Sequence, residues 1–456
     1  MCAGMPLTRR DIIAASGAAG VLAVTAGLTY GRRQIPTRSR LPNFVVIYVD
    51  DMGYADISCF GAPLTRTPVL DGMAARGMRL TSFYAGNPVC TPSRASMMTG
   101  MWAPRVNLPD VLGPDASDGL SYTQETLIPA YLKEAGYTSG IFGKWHLGTP
   151  NTYHPFQYGF DRWYGIPWSN DQWPVPIYDD EEIVRTIEGP SDNQDSLTRE
   201  FTEKAVEFID MHANEPFFLY LATSQPHGPI ASEFHGRSAG GAYGDSVEEI
   251  DFHVGRLLAA LDRNGLRDNT CVIFTSDNGP SWQDSGDSGP FLGRKFETYE
   301  GGMRAPCIVE WPEMMRRKGL AYEHPASVVD LLPTFCEAAN VPINTQRTYD
   351  GTSILQALQS GRPVETKPVA YYRINSLNAM RFGRWKVHVR RVLNPPTPGR
   401  VGWSATAEMP QLFDLSVDEG ECYDLSEHQP DLTQQLVRRL QDFDAALQAD
   451  RARRYG

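Results

Sequence analysis

Three uninterrupted apolar runs stand out along the chain: Phe44–Val49 (FVVIYV), Phe217–Leu221 (FFLYL) and Cys271–Thr275 (CVIFT). Short runs of β-branched and aromatic residues without polar alternation are the pattern of strands buried on both faces, as in a parallel sheet. Between them the period changes. Thr126–Ala135 reads as helical, and Ser246–Asn264 more clearly so, with Val247, Ile250, Val254, Leu257, Leu258 and Leu261 on one face and His253 on the polar, solvated side. Asp245 with Glu248 resembles a capping box at its start, and Gly265 supplies the stop. Strands alternating with helices predict an α/β fold with a mostly parallel central sheet flanked by helices, over residues 42–341. Residues 342–368 form a turn-rich connecting segment. Beyond it, Val369–Arg373, Trp385–Val389 and Gln411–Leu415 predict short strands. Leu432, Leu436, Leu440, Phe443 and Leu447 predict a final helix from near Pro430, so residues 369–456 read as a small C-terminal α+β domain.

Charge narrows the partners. The chain carries 42 basic and 54 acidic residues, a net charge of −12. Nucleic acid is excluded as a partner, because a phosphate backbone demands clustered positive charge. An anionic substrate would have to be drawn in locally, by a cation or a few basic side chains. The N-terminus differs: residues 1–33 open on Thr8-Arg9-Arg10-Asp11-Ile12-Ile13, followed by a weakly apolar stretch to Leu28 rich in Ala, Gly and Ser. This looks like a bacterial twin-arginine export signal, with small residues at Val24-Thr25-Ala26 for cleavage. The expected destination is the periplasm. Residues 34–41 are a basic linker, and no window predicts a stable membrane span. Apart from Cys2 in the signal and Cys90, five cysteines remain (Cys59, Cys271, Cys307, Cys336, Cys422), sparse and irregularly spaced. That is neither a disulfide scaffold nor a zinc-binding pattern.

Two of the apolar runs end in acids. Phe44–Val49 leads into Asp50-Asp51, and Cys271–Ser276 leads into Asp277-Asn278-Gly279. Ligands of open α/β sheets gather at the carboxyl ends of strands. Three carboxylates and an amide oxygen there would make a hard site for Ca²⁺ or Mg²⁺; the other reading is that both pairs are turn or cap residues. Cys90-Thr91-Pro92-Ser93-Arg94 leaves a similar choice, between an activated thiolate and a structural thiol at a helix start. The stretch Phe156–Tyr178, with Trp163, Trp168 and Trp173, either lines a ligand-binding face or packs a long surface excursion.

Cys90-Thr91-Pro92-Ser93-Arg94 followed by Thr99-Gly100 resembles the sulfatase signature that directs conversion of Cys to formylglycine. Further blocks appear in that family's order: Asp50–Tyr54, Gly143-Lys144-Trp145-His146-Leu147-Gly148, Gln225-Pro226-His227, Ser276–Gly279 and Lys295–Gly302. Gly165–Gln172 resembles the arylsulfatase A branch in particular. The resemblance covers nearly the whole chain after the signal.

It implies an alkaline phosphatase-like large domain and a C-terminal four-stranded antiparallel sheet with a terminal helix. It implies a nucleophile made from Cys90 by a formylglycine-generating enzyme, and one divalent cation, Ca²⁺ before Mg²⁺, held by Asp50, Asp51, Asp277, Asn278 and the modified Cys90. Arg94 would steady the nucleophile, Lys144 bind sulfate oxygens and His146 act as a base. His227 and Lys295 would bind sulfate and assist the departing alcohol, and Ser169 would contact substrate. Lys144 and His146, two apart, would point to one side if the backbone there is extended. Singly, each is an unremarkable loop or surface residue; their joint occurrence carries the assignment. The expected reaction is hydrolysis of sulfate monoesters of arenes, carbohydrates or lipids. The alternatives are a phosphonate monoester or phosphodiester hydrolase using the same formylglycine site, and a non-catalytic binder of sulfated glycans.

Overall fold

The computed structural model describes residues 41–391 and 410–456. The export signal, Cys2 and nearly all of the basic linker lie outside the described residues. Ten strands form one sheet, in the spatial order Leu320–Tyr322, Met78–Leu80, Cys307–Glu310, Thr270–Ser276, Asn43–Val49, Phe217–Ala222, Thr138–Gly143, Arg162–Gly165, Val175–Asp179 and Glu182–Ile187. The five from Thr270–Ser276 to Arg162–Gly165 are parallel. Antiparallel strands flank them on both sides, so the parallel expectation holds for the centre and not the margins.

The apolar runs are continuous because both sheet faces are covered. In Asn43–Val49 the side chains of Phe44, Val46 and Tyr48 enter one core, and those of Val45, Ile47 and Val49 the other. The first core is closed by helices Cys90–Thr99, Ile128–Lys133 and Leu331–Ala338. The second is closed by Pro68–Arg76, Leu197–Met211 and Gly241–Arg263. Among the described residues no helix is long and apolar enough to cross a membrane. Every described cysteine is a free thiol.

Two local expectations are corrected. The long helix begins at Gly241, not at Ser246, so Asp245 lies inside it and forms no capping box with Glu248. Its carboxylate instead accepts hydrogen bonds from the N–H groups of Gly236, Arg237 and Ser238, fastening the preceding loop to the helix. His253 is not solvated: it is 3% exposed, with Nε2 3.6 Å from Glu249. On that side Glu233 N–H donates to Glu249 at 3.0 Å, and helix Leu197–Met211 packs against this helix, its Glu203 accepting from Arg256 Nη1 at 3.2 Å.

The C-terminal sheet has four antiparallel strands, Val369–Arg373, Ser376–Phe382, Trp385–His388 and Gln411–Asp414, packed on helix Pro430–Tyr455 through Leu436, Leu440 and Leu447. Its core is shared with Tyr84, Met303 and Val329 of the large domain. Glu300, fully buried, is the polar centre of this junction. It accepts from Tyr84 Oη and Tyr371 Oη, both at 2.6 Å, and from Lys386 Nζ at 3.0 Å.

Candidate active site

The five parallel strands all deliver predicted site residues just beyond their carboxyl ends. Val49 leads to Asp50-Asp51 and Ser276 to Asp277-Asn278. Gly143 leads to Lys144 and His146, Gly165 to Ser169, and Ala222 to His227. Cys90 and Arg94 come from helix Cys90–Thr99, and Lys295 from the segment before Glu300. All eleven predicted residues meet at this one edge of the sheet, where strand ends open a crevice.

Gly143 shows how tightly the edge is built. Its φ is +116°, and a Cβ there would lie 1.8 Å from the carbonyl oxygen of Ala222. That closeness lets Lys144 N–H donate to the same carbonyl at 2.8 Å, turning Lys144 into the site. Gly143→Ala combines a forbidden backbone angle with a backbone collision. It is expected to cost about 2–3 kcal/mol, read as a lowered thermal midpoint.

The acids cluster. One carboxylate oxygen each from Asp50, Asp51 and Asp277 falls within 4.8 Å of the others, and all three residues are buried. Asn278 Nδ2 donates to Asp51 at 2.7 Å, which turns its Oδ1 away, and that oxygen is buried without a hydrogen-bond partner. Asp50 Oδ1 is likewise buried and unpartnered. Orphaned buried oxygens are rare, and Asp50 belongs to the acid cluster itself. Burial and the neighbouring Asp50 push Asp277 up to about 7, with Arg94 only partly offsetting them. Burial pushes Asp50 up too, but Lys144, His227, Arg94 and Lys295 together hold it well below the usual range. An oxygen-only donor set under mutual repulsion fits a hard divalent cation, which would relieve both the repulsion and the orphaned oxygens.

Cations surround the acids. Arg94, fully buried, donates to Asp277 Oδ2 from Nε at 3.0 Å and Nη2 at 2.7 Å, and Nη2 lies 3.6 Å from Asp50. Lys144 Nζ donates to Asp50 at 2.6 Å and to Ser169 Oγ at 3.1 Å. Lys295 Nζ donates to Asp51 at 2.7 Å, and His227 Nε2 stands 3.7 Å from the same oxygen. Cys90 opens its helix, 3% exposed. Burial pushes its thiol up despite Lys144 and Lys295, so an activated thiolate is not what this pocket favours.

His146 reaches the site by a route the sequence does not show. Its φ is +58°, so the Lys144–His146 backbone is not extended and the two side chains do not share a side by strand alternation. The Nε2–H donates to the carbonyl of Leu112 at 3.0 Å, which leaves the lone pair on Nδ1, and Nδ1 is buried without a partner. Burial, then Lys144, hold its pKa well below the usual value, so the ring is a neutral base. Asp51 and Phe296 also have positive φ, +63° and +75°. Three non-glycine residues in this conformation around one site mark a backbone held against its preference.

The sequence reading missed several partners. Tyr220 Oη accepts from Arg94 Nη1 at 3.3 Å, and the Tyr48 ring lies 5.6 Å from its guanidinium. Both tyrosines sit in apolar runs and read as core. The Leu112 carbonyl, which also accepts from Gln172 Nε2, carries no sequence signal. The aromatic stretch resolves toward packing: Trp163 is fully buried, and Trp168 and Trp173 pack against the second core.

A family model described as Sulfatase matches residues 42–341, and one described as C-terminal region of aryl-sulfatase matches residues 364–452. N-acetylgalactosamine-6-sulfatase of Mus musculus is 36% identical over 443 residues, covering 88% of this chain and 85% of the relative. Arylsulfatase A of Homo sapiens is 34% identical, covering 89% of this chain and 86% of the relative. Among solved structures, the PsFucS1 sulfatase from Pseudoalteromonas sp. superposes with a TM-score of 0.81 at 26% identity, over 90% of this chain and 91% of that one. The sheet with its flanking helices and small C-terminal sheet is the alkaline phosphatase-like fold of these enzymes. The chain belongs to the sulfatase family, and it is a sulfuric ester hydrolase.

Proposed function

We propose that the protein cleaves sulfate monoesters with a formylglycine hydrate at position 90 and one divalent cation, Ca²⁺ in preference to Mg²⁺. The convergence of Asp50, Asp51, Asp277 and Asn278 beside Cys90, at one sheet edge and faced by Arg94, Lys144 and Lys295, carries this reading. Asp50, Asp51, Asp277, Asn278 and residue 90 would hold the cation, which supplies Lewis-acid polarisation and charge neutralisation. The formylglycine hydrate supplies one hydroxyl as nucleophile and a second through which sulfate is expelled.

The chain's own residues do the rest. Arg94 fixes Asp277 and keeps the ligand set in register. Lys144, Ser169 and Lys295 offer donors to the sulfate oxygens, where positioning and charge do most of the work in such transfers. His227 donates through Nδ1–H to the Gly228 carbonyl at 2.6 Å, leaving Nε2 to exchange a proton with the departing alcohol, beside Lys295. His146 Nδ1 accepts the proton whose removal lets sulfate leave. Maturation of Cys90 by a formylglycine-generating enzyme, and twin-arginine export to a bacterial periplasm, belong to the same proposal and rest on the Cys90–Arg94 and Arg9-Arg10 motifs.

The test pairs an aryl sulfate with the matching aryl phosphonate and measures the mass of the Cys90 peptide in the same preparation. Turnover of the sulfate at least ~10-fold faster is expected, the span of about 1.4 kcal/mol in transition-state binding. The peptide should show the exchange of SH₂ for O. Sulfate turnover by protein carrying only the thiol would overturn the formylglycine step, and faster phosphonate turnover would overturn the substrate class.

A further inference from the structure

Residues 100–127 join helix Cys90–Thr99 to helix Ile128–Lys133 without a strand or helix of their own. A backbone carbonyl in such a segment has no ladder to aim it, so other groups must. Leu112 lies midway along, and its carbonyl is the one that receives Nε2–H of His146 at 3.0 Å. The Leu112 N–H donates to Thr91 Oγ1 at 3.2 Å, next to residue 90. The carbonyl also receives the side-chain amide of Gln172, whose Nε2 donates to it at 3.1 Å. An oxygen with two lone pairs accommodates both donors.

Gln172, half-buried, is fixed at its other end. Its Oε1 accepts from the Ser169 N–H at 3.1 Å, and its own N–H donates to Ser169 O at 3.1 Å. With its oxygen facing an N–H and its nitrogen facing a carbonyl, the amide has one orientation; turned over, it would set like against like at both ends. Ser169 is pinned in turn, its Oγ accepting from Lys144 Nζ at 3.1 Å. One amide thus spans from the sulfate-facing serine to the carbonyl behind the base. That carbonyl decides which ring nitrogen of His146 is free: with Nε2–H committed to Leu112, Nδ1 carries the lone pair.

We infer that Gln172 is a positioning residue for the base: it aims the Leu112 carbonyl so that His146 presents Nδ1, and its contribution falls on release of sulfate rather than on departure of the alcohol. This rests on the formylglycine reading above. In the release step His146 Nδ1 takes the proton of the free hydroxyl at position 90. The electron pair of that O–H bond becomes the new C=O bond, and the C–O bond to sulfate breaks with its pair leaving on sulfate. Departure of the alcohol depends instead on His227 and Lys295, which are held by the Gly228 carbonyl and by Asp51.

Two variants test this. Gln172→Met removes the amide at nearly constant length. Gln172→Glu keeps an acceptor for the Ser169 N–H and removes the donor to Leu112, provided the assay runs well above the ordinary carboxylate range. The probe is 4-nitrophenyl sulfate, with conversion at position 90 verified by mass. Both variants are expected to lower kcat about tenfold. KM should fall alongside, so that kcat/KM, which reports the first half-reaction, stays within about twofold of wild type. The first turnover should appear as a burst approaching one alcohol per active site. Independently of turnover, nitrogen NMR of histidine-labelled protein, with His146 assigned through His146→Gln, should show the Nε2–H tautomer in wild type and a mixture in both variants. A kcat/KM that falls with kcat and without a burst, or an unchanged tautomer signature, overturns the positioning role. Wild-type kinetics in Gln172→Glu also overturn it, since any effect of Gln172→Met would then run through Ser169. Wild-type protein that turns over no sulfate overturns instead the reading on which this rests, and the tautomer comparison still decides whether Gln172 sets His146.

Discussion

Cys90→Ala is expected to lower kcat on an aryl sulfate by at least ~10⁴-fold, the scale on which nucleophile removal acts in other covalent hydrolases. The reason lies in what remains. Arg94, Lys144, His146, Ser169, His227 and Lys295 would still bind and orient the ester, and the four oxygen ligands would still hold a cation. None of them takes the place of residue 90, and a loosely placed water would have to attack instead. The substitution changes only the atoms beyond Cβ at the first position of a helix whose capping bonds are backbone bonds, so the fold should survive with a thermal midpoint within a few degrees of wild type. A variant retaining a tenth of the activity would show that residue 90 is not the nucleophile.

Glu300→Ala should be the most damaging change at the domain junction, costing about 3–5 kcal/mol. The carboxylate accepts from Tyr84, Tyr371 and Lys386, and Arg304 and Arg381 stand 3.6 and 3.9 Å away. Truncation leaves three buried cations with too little counter-charge; Glu421, 2.9 Å from Lys386, and Glu419, 2.9 Å from Arg304, compensate two of them, and Arg381 is left without a carboxylate partner among the described residues. Burial pushes the Glu300 carboxyl up, but Lys386, Arg381 and Arg304, with the Tyr371 hydroxyl, bring it down to about 2. A folded-state pKa below the unfolded one adds stability that is complete above the unfolded value, near 4.3 for Glu, and is lost as pH falls toward about 2. Wild-type protein should therefore lose stability across that window, and Glu300→Ala should show less of this slope. Hydrogen exchange in Val369–Arg373 and Trp385–His388 reports it strand by strand.

The central strands and their acids were legible because a doubly covered strand must be apolar along its whole length: Phe44–Val49 and Phe217–Leu221 lie one residue short of the observed strands. What local patterning missed is what distant chain covers. His253 reads as polar-face because nothing in its helix announces the distant chain, Glu233 and helix Leu197–Met211, that comes in along that side. Asp245 reads as a cap because the three N–H groups it serves belong to a turn that helix periodicity does not describe. Ser376–Phe382, SLNAMRF, lacks the apolar run and clean alternation that mark a strand; its place comes from its two neighbours. Motif order singled out the candidate site residues, but the tautomer of His146 depends on a backbone carbonyl, which no side-chain pattern encodes.

The position of Asn43–Val49 has a consequence for biosynthesis. Among the described residues it is the first strand made, yet its two partners there are Phe217–Ala222 and Thr270–Ser276. At ~5–20 residues per second, this apolar segment waits on the order of 10–30 s for its first neighbour. During that interval it is an unpaired, uncharged, β-prone hexapeptide, the kind of stretch that seeds aggregation. Soluble yield should therefore depend more on how the nascent chain is sheltered than on the stability of the finished fold.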